Sequence, residues 1–196
     1  MPALSAPIPT LNVDALDITQ QPKQNPPTQN HGDSLIYLMY TSGTTGKPKG
    51  TQIRHKSVTR VVCDTNYMTL SPDDVCLQIS SFAFDGCVAD FYGALLNGAQ
   101  IILTSKEDTL EPQILAEVIA NHQVTSLFVT TALFNIIADN MLEALGSIKT
   151  IMFGGEAVSV QHVVKAYNKL GPGKLIHVYG PTESTVFATG YVINSL

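Results

Sequence analysis

Side chains suited to chemistry are concentrated in one loop near residue 45. Residues 40–50 read Tyr-Thr-Ser-Gly-Thr-Thr-Gly-Lys-Pro-Lys-Gly, which combines three glycines, four Ser or Thr hydroxyls and two lysines. Glycine lets backbone N–H groups approach an anion closely, and hydroxyl and ammonium groups complete a site for a polyphosphate. The same composition is common in solvated turns, so composition alone leaves both interpretations open. Pro48 stands where a Walker A loop has Ser or Thr, which argues against a P-loop NTPase.

A second candidate is Asp85, which stands where a helical pattern begins. At a helix start its carboxylate could accept hydrogen bonds from the N–H groups of the first turn. Beside Phe82, Phe84 and Gly86 it could instead point into an apolar pocket and pair with an ammonium group, because a low local dielectric strengthens such a pair. Taken without further information, the residues favour the capping role.

Two further candidates follow strand-like runs. Glu183 comes after a Gly-Pro turn within Tyr-Gly-Pro-Thr-Glu-Ser-Thr, residues 179–185. Its carboxylate is either a solvated turn residue or an oxygen ligand for a hard cation that bridges phosphates. Gly154 and Gly155 form either a plain turn or a stretch of backbone that lies flat against a planar base. Glu156 fits either solvent or the edge of such a base.

The elements that must position these candidates are short apolar runs that alternate with helical periodicity. Helices are predicted to begin at Asp85 and at Pro112 and to cover 160–170. Strands are predicted at 35–40, 75–79, 100–103, 126–130, 150–153 and 175–179. This alternation is typical of an α/β fold with a parallel-rich sheet and crossover helices, whose loops at the strand ends are placed for chemistry.

The first 33 residues differ from the rest of the chain. Six of the eleven prolines fall there, among Gln and Asn clusters. Such a segment has too few apolar residues to offset its ordering entropy, so we expect residues 1–33 to be a linker or a poorly ordered lead-in. A single domain is then expected over residues 34–196.

Composition argues against several classes of protein. Eleven Lys and Arg against sixteen Asp and Glu leave a net charge of −5, without a basic run that could follow a nucleic-acid backbone. The three cysteines and five histidines show no disulfide or metal spacing. No apolar stretch approaches the ~20 residues of a membrane span. We therefore expect a cytoplasmic protein whose partners include neither nucleic acid nor membrane.

Three segments resemble one known family. Residues 40–50 match, position by position, the phosphate-binding loop of the adenylation domains of nonribosomal peptide synthetases, which belong to the adenylate-forming superfamily. Residues 84–99 resemble the substrate-helix motif of that family, and residues 179–185 resemble its adenine and magnesium motif. The resemblance implies part of the large N-terminal domain of the adenylate-forming fold. It also implies amino acid activation with ATP and Mg²⁺, and as partners a phosphopantetheinylated carrier protein and other synthetase domains.

The resemblance assigns roles to individual residues. The catalytic set is Thr182, Glu183 and Lys49, with Glu183 as the magnesium ligand. The phosphate-binding set is Thr41, Ser42, Gly43, Thr44, Thr45, Gly46, Lys47 and Lys49. The adenine-binding set is Gly154, Gly155, Glu156 and Tyr179. The substrate-binding set is Asp85, Gly86, Ala89, Phe128, Met152, Gly154, Val178, Val186 and Phe187.

The substrate-binding set also implies a substrate class. In the family, an aspartate at the position of Asp85 holds the α-amino group of the substrate, and members that activate aryl or fatty acids generally lack it. The other members of the set are apolar or glycine, so a polar substrate side chain would lose its hydrogen-bond partners on binding. We therefore expect isoleucine, leucine or valine, and then phenylalanine.

The sequence also departs from the family pattern. A full adenylation domain is more than twice this length, and the resemblance does not cover the aspartate that holds the ribose, the hinge or the C-terminal lid with its catalytic lysine. We therefore expect a truncated domain with very low turnover on its own. The alternatives are a non-catalytic relic or interaction module, and a fragment of an acyl- or aryl-CoA ligase. Nucleotide binding would argue against the relic, and Asp85 argues against the ligase.

Overall fold

The structure is a computed structural model that describes residue 12 and residues 15–42 and 46–196. His31–Leu196 forms one compact unit, and the described residues up to Asn30 belong to a separate unit in which each of them is exposed. The compact unit begins three residues before the predicted boundary. The Gly32 carbonyl accepts a hydrogen bond from the Lys56 N–H at 2.9 Å, and Asp33 pairs with Arg54 and Lys56.

Strands and helices alternate along most of the compact unit. The strands are β1 (Leu35–Thr41), β2 (Lys49–Arg54), β3 (Val75–Gln78), β4 (Gln100–Leu103), β5 (Ser126–Thr130), β6 (Thr150–Gly154), β7 (Leu175–Tyr179) and β8 (Thr189–Val192). The helices are α1 (His55–Val62), α2 (Gly86–Leu96), α3 (Lys106–Leu110), α4 (Pro112–Asn121), α5 (Thr131–Asn140) and α6 (Val160–Leu170). Short 3-10 turns lie at Leu142–Ala144 and Thr182–Ser184.

Among the described residues, six strands form the main sheet in the order β4-β3-β5-β6-β7-β8. All neighbours are parallel except β7 and β8, so the predicted α/β fold with a parallel-rich sheet and crossover helices is confirmed. The chain moves from β3 to β4 on one side and then to β5 on the other side of β3. That reversal is a topological switch point, and ligands of open α/β sheets bind beside the carboxyl ends of the strands there.

β1 and β2 form a separate antiparallel hairpin in which Thr41 pairs with Lys49. The sequence analysis did not predict β2 or β8. β2 reads Lys-Gly-Thr-Gln-Ile-Arg and β8 reads Thr-Gly-Tyr-Val, with Ile53 the one fully buried residue of β2 and no fully buried residue in β8. Neither strand therefore has the apolar pattern on which sequence-based assignment depends.

Apolar side chains pack on both faces of the main sheet. On one face Phe134 stacks on Phe153 with 4.0 Å between ring centroids, within a cluster that includes residues of α4, α5 and α6. On the other face a second cluster joins α1 and α2 to β6 and β7. At the end of α2, Leu95 and Leu96 are 59% and 50% exposed.

Candidate active site

The loops that carry the predicted functional residues leave the main sheet at its carboxyl edge. Asp85 lies between β3 and α2, Gly155 and Glu156 follow β6, and residues 180–187 follow β7. The carboxyl ends of parallel strands meet at one edge of the sheet, which explains how segments a hundred residues apart in sequence come together.

The Asp85 carboxylate turns away from its own helix. Asp85 occupies the N-cap position of α2, yet its side chain accepts no capping hydrogen bond. Its Oδ2 instead accepts a hydrogen bond from the Val186 N–H at 3.3 Å. The capping role, which the residues alone favoured, is therefore not the one that this side chain has, and the carboxylate lies beside the turn that follows Glu183.

The nine predicted substrate-binding residues are brought together on the α1 and α2 side of the sheet. Strand register places Phe128 opposite Met152 and Gly154 opposite Val178. Alternate residues of a strand share a face, so Met152 and Gly154 point to the same side. The Phe128 and Phe187 rings meet edge to face with 5.0 Å between centroids. Ala89, Met152, Val178, Val186 and Phe187 belong to one buried cluster, against which Phe128 packs.

Two glycines in this set permit the close approach of their neighbours. A Cβ at Gly86 would lie 2.8 Å from Phe128 Cε1 and 2.9 Å from Ser80 Oγ. A Cβ at Gly154 would collide with the carbonyl oxygen of Val178 on the adjacent strand. A side chain at either position would displace its neighbours and change the shape of the pocket.

The turn after Glu183 has an unusual backbone. Thr185 and Val186 both lie in the left-handed region, with φ of 64° and 59°, although β-branched residues seldom adopt it. Thr185 is 3% exposed, and its carbonyl accepts from the Phe187 N–H at 2.7 Å. A Cβ at Gly180 would collide with the backbone of this turn. The predicted catalytic residues Thr182 and Glu183 stand immediately before it, with Glu183 exposed.

The described members of the predicted phosphate-binding set lie at the tip of the β1–β2 hairpin. Thr41 and Lys49 face each other where its strands end, and Ser42, Gly46, Lys47 and Lys49 are exposed. Gly43, Thr44 and Thr45 lie outside the described residues. β2 contacts the 3-10 turn Thr182–Ser184. The hairpin with the two lysines is thus a direct neighbour of the turn that carries Glu183.

The predicted adenine-binding residues lie at the ends of β6 and β7. Gly155 has φ of 95°, which favours glycine. Tyr179 is 63% exposed, so one face of its ring is available for stacking. Glu156 is exposed, and its backbone carbonyl accepts from the Thr131 hydroxyl at 3.3 Å. The side chain of Glu156 is therefore free to face either solvent or a ligand.

Three residues near this edge were not predicted from the sequence. Arg60, on α1, donates to the backbone of the turn after Glu183. Asp90, on α2, accepts from the Ile79 and Ser80 N–H groups at 3.2 and 2.9 Å, and burial raises its pKa to about 6. An aspartate inside an apolar helix face was the available signal for Asp90, because carboxylates are seldom fully buried.

The third missed residue is Tyr37, on β1. Its hydroxyl is buried without a hydrogen-bond partner. Burial raises the pKa of Tyr37, and the negative charge of Asp85 raises it further. A buried polar atom without a partner is rare in folded proteins, and this one lies near the candidate ammonium site.

Two general features of the described residues bear on ligands. Among them, no group of three or more His, Cys, Asp or Glu side chains is placed to hold a metal ion. Within the same part of the chain, no helix is both long and apolar enough to cross a bilayer.

Comparison with solved structures first defines the class of protein. The chain aligns with PA1221, an NRPS protein that contains adenylation and PCP domains, with a TM-score of 0.81 and 28% identity over 97% of this chain and 33% of that one. It also aligns with the N-terminal subdomain of Klebsiella oxytoca NpsA in complex with 3-hydroxybenzoyl-AMSN, with a TM-score of 0.77 and 25% identity over 88% of this chain and 43% of that one. The fold is therefore that of the N-terminal subdomain of adenylation domains.

Sequence comparison then gives the family. The model of the AMP-binding enzyme family matches residues 4–195, and the chain belongs to that family. It is 51% identical to bacitracin synthase 1 of Bacillus licheniformis over 89% of its own length, and 41% identical to surfactin synthase subunit 3 of Bacillus subtilis over 95%. It spans 3% and 15% of those relatives. The predicted resemblance to nonribosomal peptide synthetase adenylation domains is confirmed.

Proposed function

We propose that this chain takes part in amino acid activation by ATP-dependent adenylation for nonribosomal peptide synthesis. The observation that carries the proposal is the placement of Asp85. Its carboxylate leaves its own helix uncapped and lies beside an apolar cluster, within hydrogen-bond distance of Val186 in the turn that follows Glu183. A partly buried carboxylate beside apolar side chains attracts a cationic partner more strongly than one in bulk water does. The α-ammonium group of an amino acid fits this requirement.

The substrate side chain is proposed to be apolar. Ala89, Met152, Val178, Val186 and Phe187 are each no more than 5% exposed and offer no polar side-chain atom. A hydroxyl or charged group placed among them would lose its water without gaining a partner. The order of preference that follows is isoleucine, leucine or valine, and then phenylalanine.

The proposed reaction needs no general base. A carboxylate oxygen of the amino acid, ionised at neutral pH, attacks the α-phosphorus of ATP. The bond between the α-phosphorus and the bridging oxygen breaks, pyrophosphate leaves with that electron pair, and the product is an aminoacyl adenylate. Lys47 and Lys49 offset negative charge on the phosphates while Asp85 holds the ammonium group, so catalysis is chiefly positioning and charge neutralisation. The acyl group would then pass to the pantetheine thiol of a carrier protein.

The residues present fit ATP with magnesium. Mg²⁺ is commonly bound through one or two carboxylates together with substrate phosphates and water, and Glu183 is an exposed carboxylate on a turn in contact with the lysine-bearing hairpin. Glu183 would hold the ion, which would supply charge neutralisation when bound. Tyr179 would stack on the adenine, and Gly154 and Gly155 would let backbone approach the base.

A second candidate substrate class has a specific observation behind it. The N-terminal subdomain of NpsA was solved with 3-hydroxybenzoyl-AMSN, an aryl compound. An aryl acid has no α-ammonium group for Asp85, so the two classes differ in one charged contact. Binding of 3-hydroxybenzoate in preference to isoleucine would favour the aryl class.

Calorimetric titration of the full chain tests the proposal. The protein is titrated with a non-hydrolysable ATP analogue and magnesium, and then with isoleucine, phenylalanine and 3-hydroxybenzoate. Glu183→Gln should weaken magnesium-dependent nucleotide binding roughly ten-fold, the order of one charge-assisted contact. Glu143→Gln is the matched control, because Glu143 is an exposed carboxylate paired with Lys169. A folded chain that binds neither nucleotide nor amino acid would leave the non-catalytic interaction module as the better explanation.

A further inference from the structure

The turn at residues 184–187 holds a conformation that its sequence does not favour. Thr185 and Val186 are consecutive β-branched residues with positive φ. Such residues persist in the left-handed region when surrounding contacts impose it. Because Val186 and Phe187 belong to the predicted pocket lining, whatever imposes this conformation also fixes the wall of the pocket.

Arg60 makes the contacts that bracket this strained pair. Its Nη2 donates to the carbonyl oxygen of Ser184 at 2.6 Å and to that of Phe187 at 3.2 Å. Ser184 precedes the pair and Phe187 follows it, so one guanidinium fastens both ends of the turn. A guanidinium carries several donors in a fixed planar arrangement, which suits two acceptors at once.

The support beneath Arg60 is rigid. Arg60 lies on α1, whose residues Val58, Val61 and Val62 are no more than 2% exposed. The guanidinium therefore projects from a helix that is anchored in the same core as the pocket. The Val186 N–H, within the turn, donates to Asp85. The turn is thus held by hydrogen bonds to both Arg60 and Asp85.

We propose that Arg60 is a positioning residue for the amino acid pocket, which keeps the strained turn in place so that Val186 and Phe187 form the pocket wall. This inference rests on the proposed function for its effect on substrate, while the fixing of the turn can be measured without any ligand. Arg60 acts through its hydrogen bonds to the backbone of the turn.

The experiment compares Arg60→Met and Arg60→Lys with Arg54→Met in the full chain. Arg54 is the other arginine of the sequence and pairs with Asp33 at an exposed site, which makes it a matched control. Amide hydrogen exchange is followed by NMR at Val186, Phe187 and Leu127. Dissociation constants are measured for isoleucine with magnesium and the ATP analogue, and for the analogue without magnesium.

Arg60→Met is expected to speed exchange at Val186 and Phe187 and to raise the isoleucine dissociation constant by roughly ten-fold, as loss of a charged hydrogen-bond donor implies. Exchange at Leu127 and binding of magnesium-free nucleotide should stay within about two-fold of wild type, because neither depends on this turn. The exchange rates and the isoleucine dissociation constant of Arg60→Lys should lie between those of wild type and Arg60→Met, because an ammonium group lacks the planar arrangement of donors of a guanidinium. Arg54→Met should match wild type.

A Thr185→Gly background gives an independent check. Glycine adopts positive φ without a steric penalty, so the conformation of the turn should depend less on the hydrogen bonds from Arg60. In this background Arg60→Met should raise the isoleucine dissociation constant by less than about three-fold. If Arg60→Met alone does not fold, this comparison and Arg60→Lys still test whether Arg60 fixes the turn.

Several results would overturn the inference. One is an Arg60→Met protein that matches Arg54→Met in both exchange and binding, and another is exchange that accelerates equally at Leu127, since that would mean general destabilisation. If the wild type binds nucleotide but no amino acid, the proposed function fails, and the exchange rates at Val186 and Phe187 still decide whether Arg60 fixes the turn.

Discussion

Two polar sites at opposite ends of the parallel strands, one around Asp74 and one around Asp85, differ in how fully their hydrogen bonds are satisfied. At the amino end, Asp74, Thr125 and Lys149 each stand immediately before a strand of the sheet. Asp74 accepts from the Thr125 hydroxyl at 2.9 Å, from Lys149 Nζ at 2.7 Å, and from the N–H and hydroxyl of Ser71 at 2.9 and 2.8 Å. At the carboxyl end, Asp85 accepts one bond of 3.3 Å and the Tyr37 hydroxyl makes none.

This difference suggests that the site around Asp74 stabilises the fold and that the site around Asp85 serves binding. The Asp74 network is closed, since its acceptors are matched by nearby donors, and such networks fix structure. Around Asp85 and Tyr37, capacity for hydrogen bonding is left unused, and the backbone nearby is strained at Thr185 and Val186. Unmatched polar groups and strain are costs that folded proteins retain at binding sites.

The largest expected effect is at Asp85. Asp85→Asn keeps the shape of the side chain and an oxygen for the Val186 N–H, but removes the charge. We expect the isoleucine dissociation constant to rise by about 1,000-fold, or about 4 kcal/mol, because the substrate ammonium group loses its charged partner. Nucleotide affinity should change little. Calorimetry measures both, and isoleucine binding by Asp85→Asn at wild-type affinity would remove the distinction between the two ends.

Asp74 should show the opposite behaviour. Asp74→Ala leaves Ser71 and the buried Thr125 hydroxyl without their acceptor, so we expect the free energy of unfolding to fall by about 3 kcal/mol. Ligand affinities of the folded protein should be unchanged. Urea denaturation gives the stability, and titration at a temperature where the variant is folded gives the affinities. A stable variant with impaired binding would contradict this assignment.

The pH dependence at Asp74 follows from its pKa. Burial opposes ionisation, but the hydrogen bonds from Lys149, Ser71 and Thr125 outweigh it and lower the pKa from 3.8 to about 2. The contribution of Asp74 is therefore present above about pH 4 and is lost as the pH falls through 2. Urea denaturation of wild type and Asp74→Ala between pH 2 and 5 should show the two stabilities converging as the pH falls.

The fold could be predicted further than the site, for a physical reason. The strands of the parallel core lie within a residue or two of the predicted ones, because strands buried on both faces are continuous apolar runs. The hairpin strand β2 and the edge strand β8 lack that signal. Gly154 and Gly155 could be picked out from the sequence because glycine is required at both positions. A Cβ at Gly154 would collide with the adjacent strand, and Gly155 has a positive φ.

The contacts that hold the site were beyond sequence reasoning because their partners are distant. Arg60 and Ser184 are 124 positions apart, and Asp85 and Val186 are 101 apart. Only the tertiary structure decides which carbonyl or N–H group a side chain reaches. A left-handed Thr185 has no signal at all, since β-branched residues give no indication of positive φ.

Asp90 provides a smaller pH effect of opposite sign. Burial raises its pKa from 3.8 to about 6, against the lowering effect of hydrogen bonds from Ser80 and Ile79. The folded state thus binds more protons than the unfolded state between these values, and the contribution of Asp90 to stability falls as the pH rises from 4 through 6. We expect a loss of about 2 kcal/mol between pH 4 and 7.

Asp90→Asn isolates this contribution, because an amide oxygen still accepts from the Ile79 and Ser80 N–H groups and does not titrate. Wild type should therefore lose stability relative to Asp90→Asn as the pH rises, as measured by urea denaturation. A difference that is constant from pH 4 to 7 would show that Asp90 is ionised with an ordinary pKa.

The smallest effect separates two tyrosines that differ in one hydrogen bond. The Tyr67 hydroxyl donates to the Val61 carbonyl at 2.6 Å, whereas the Tyr37 hydroxyl has no partner. Tyr67→Phe should therefore cost about 1 kcal/mol, and Tyr37→Phe should be neutral or stabilise by up to about 1 kcal/mol, since it removes an unsatisfied buried group. Thermal and urea denaturation of the two variants make the comparison directly. If Tyr37→Phe instead loses as much stability as Tyr67→Phe, the Tyr37 hydroxyl is satisfied in the folded protein, and the carboxyl end of the sheet holds one unmatched group fewer than the structure indicates.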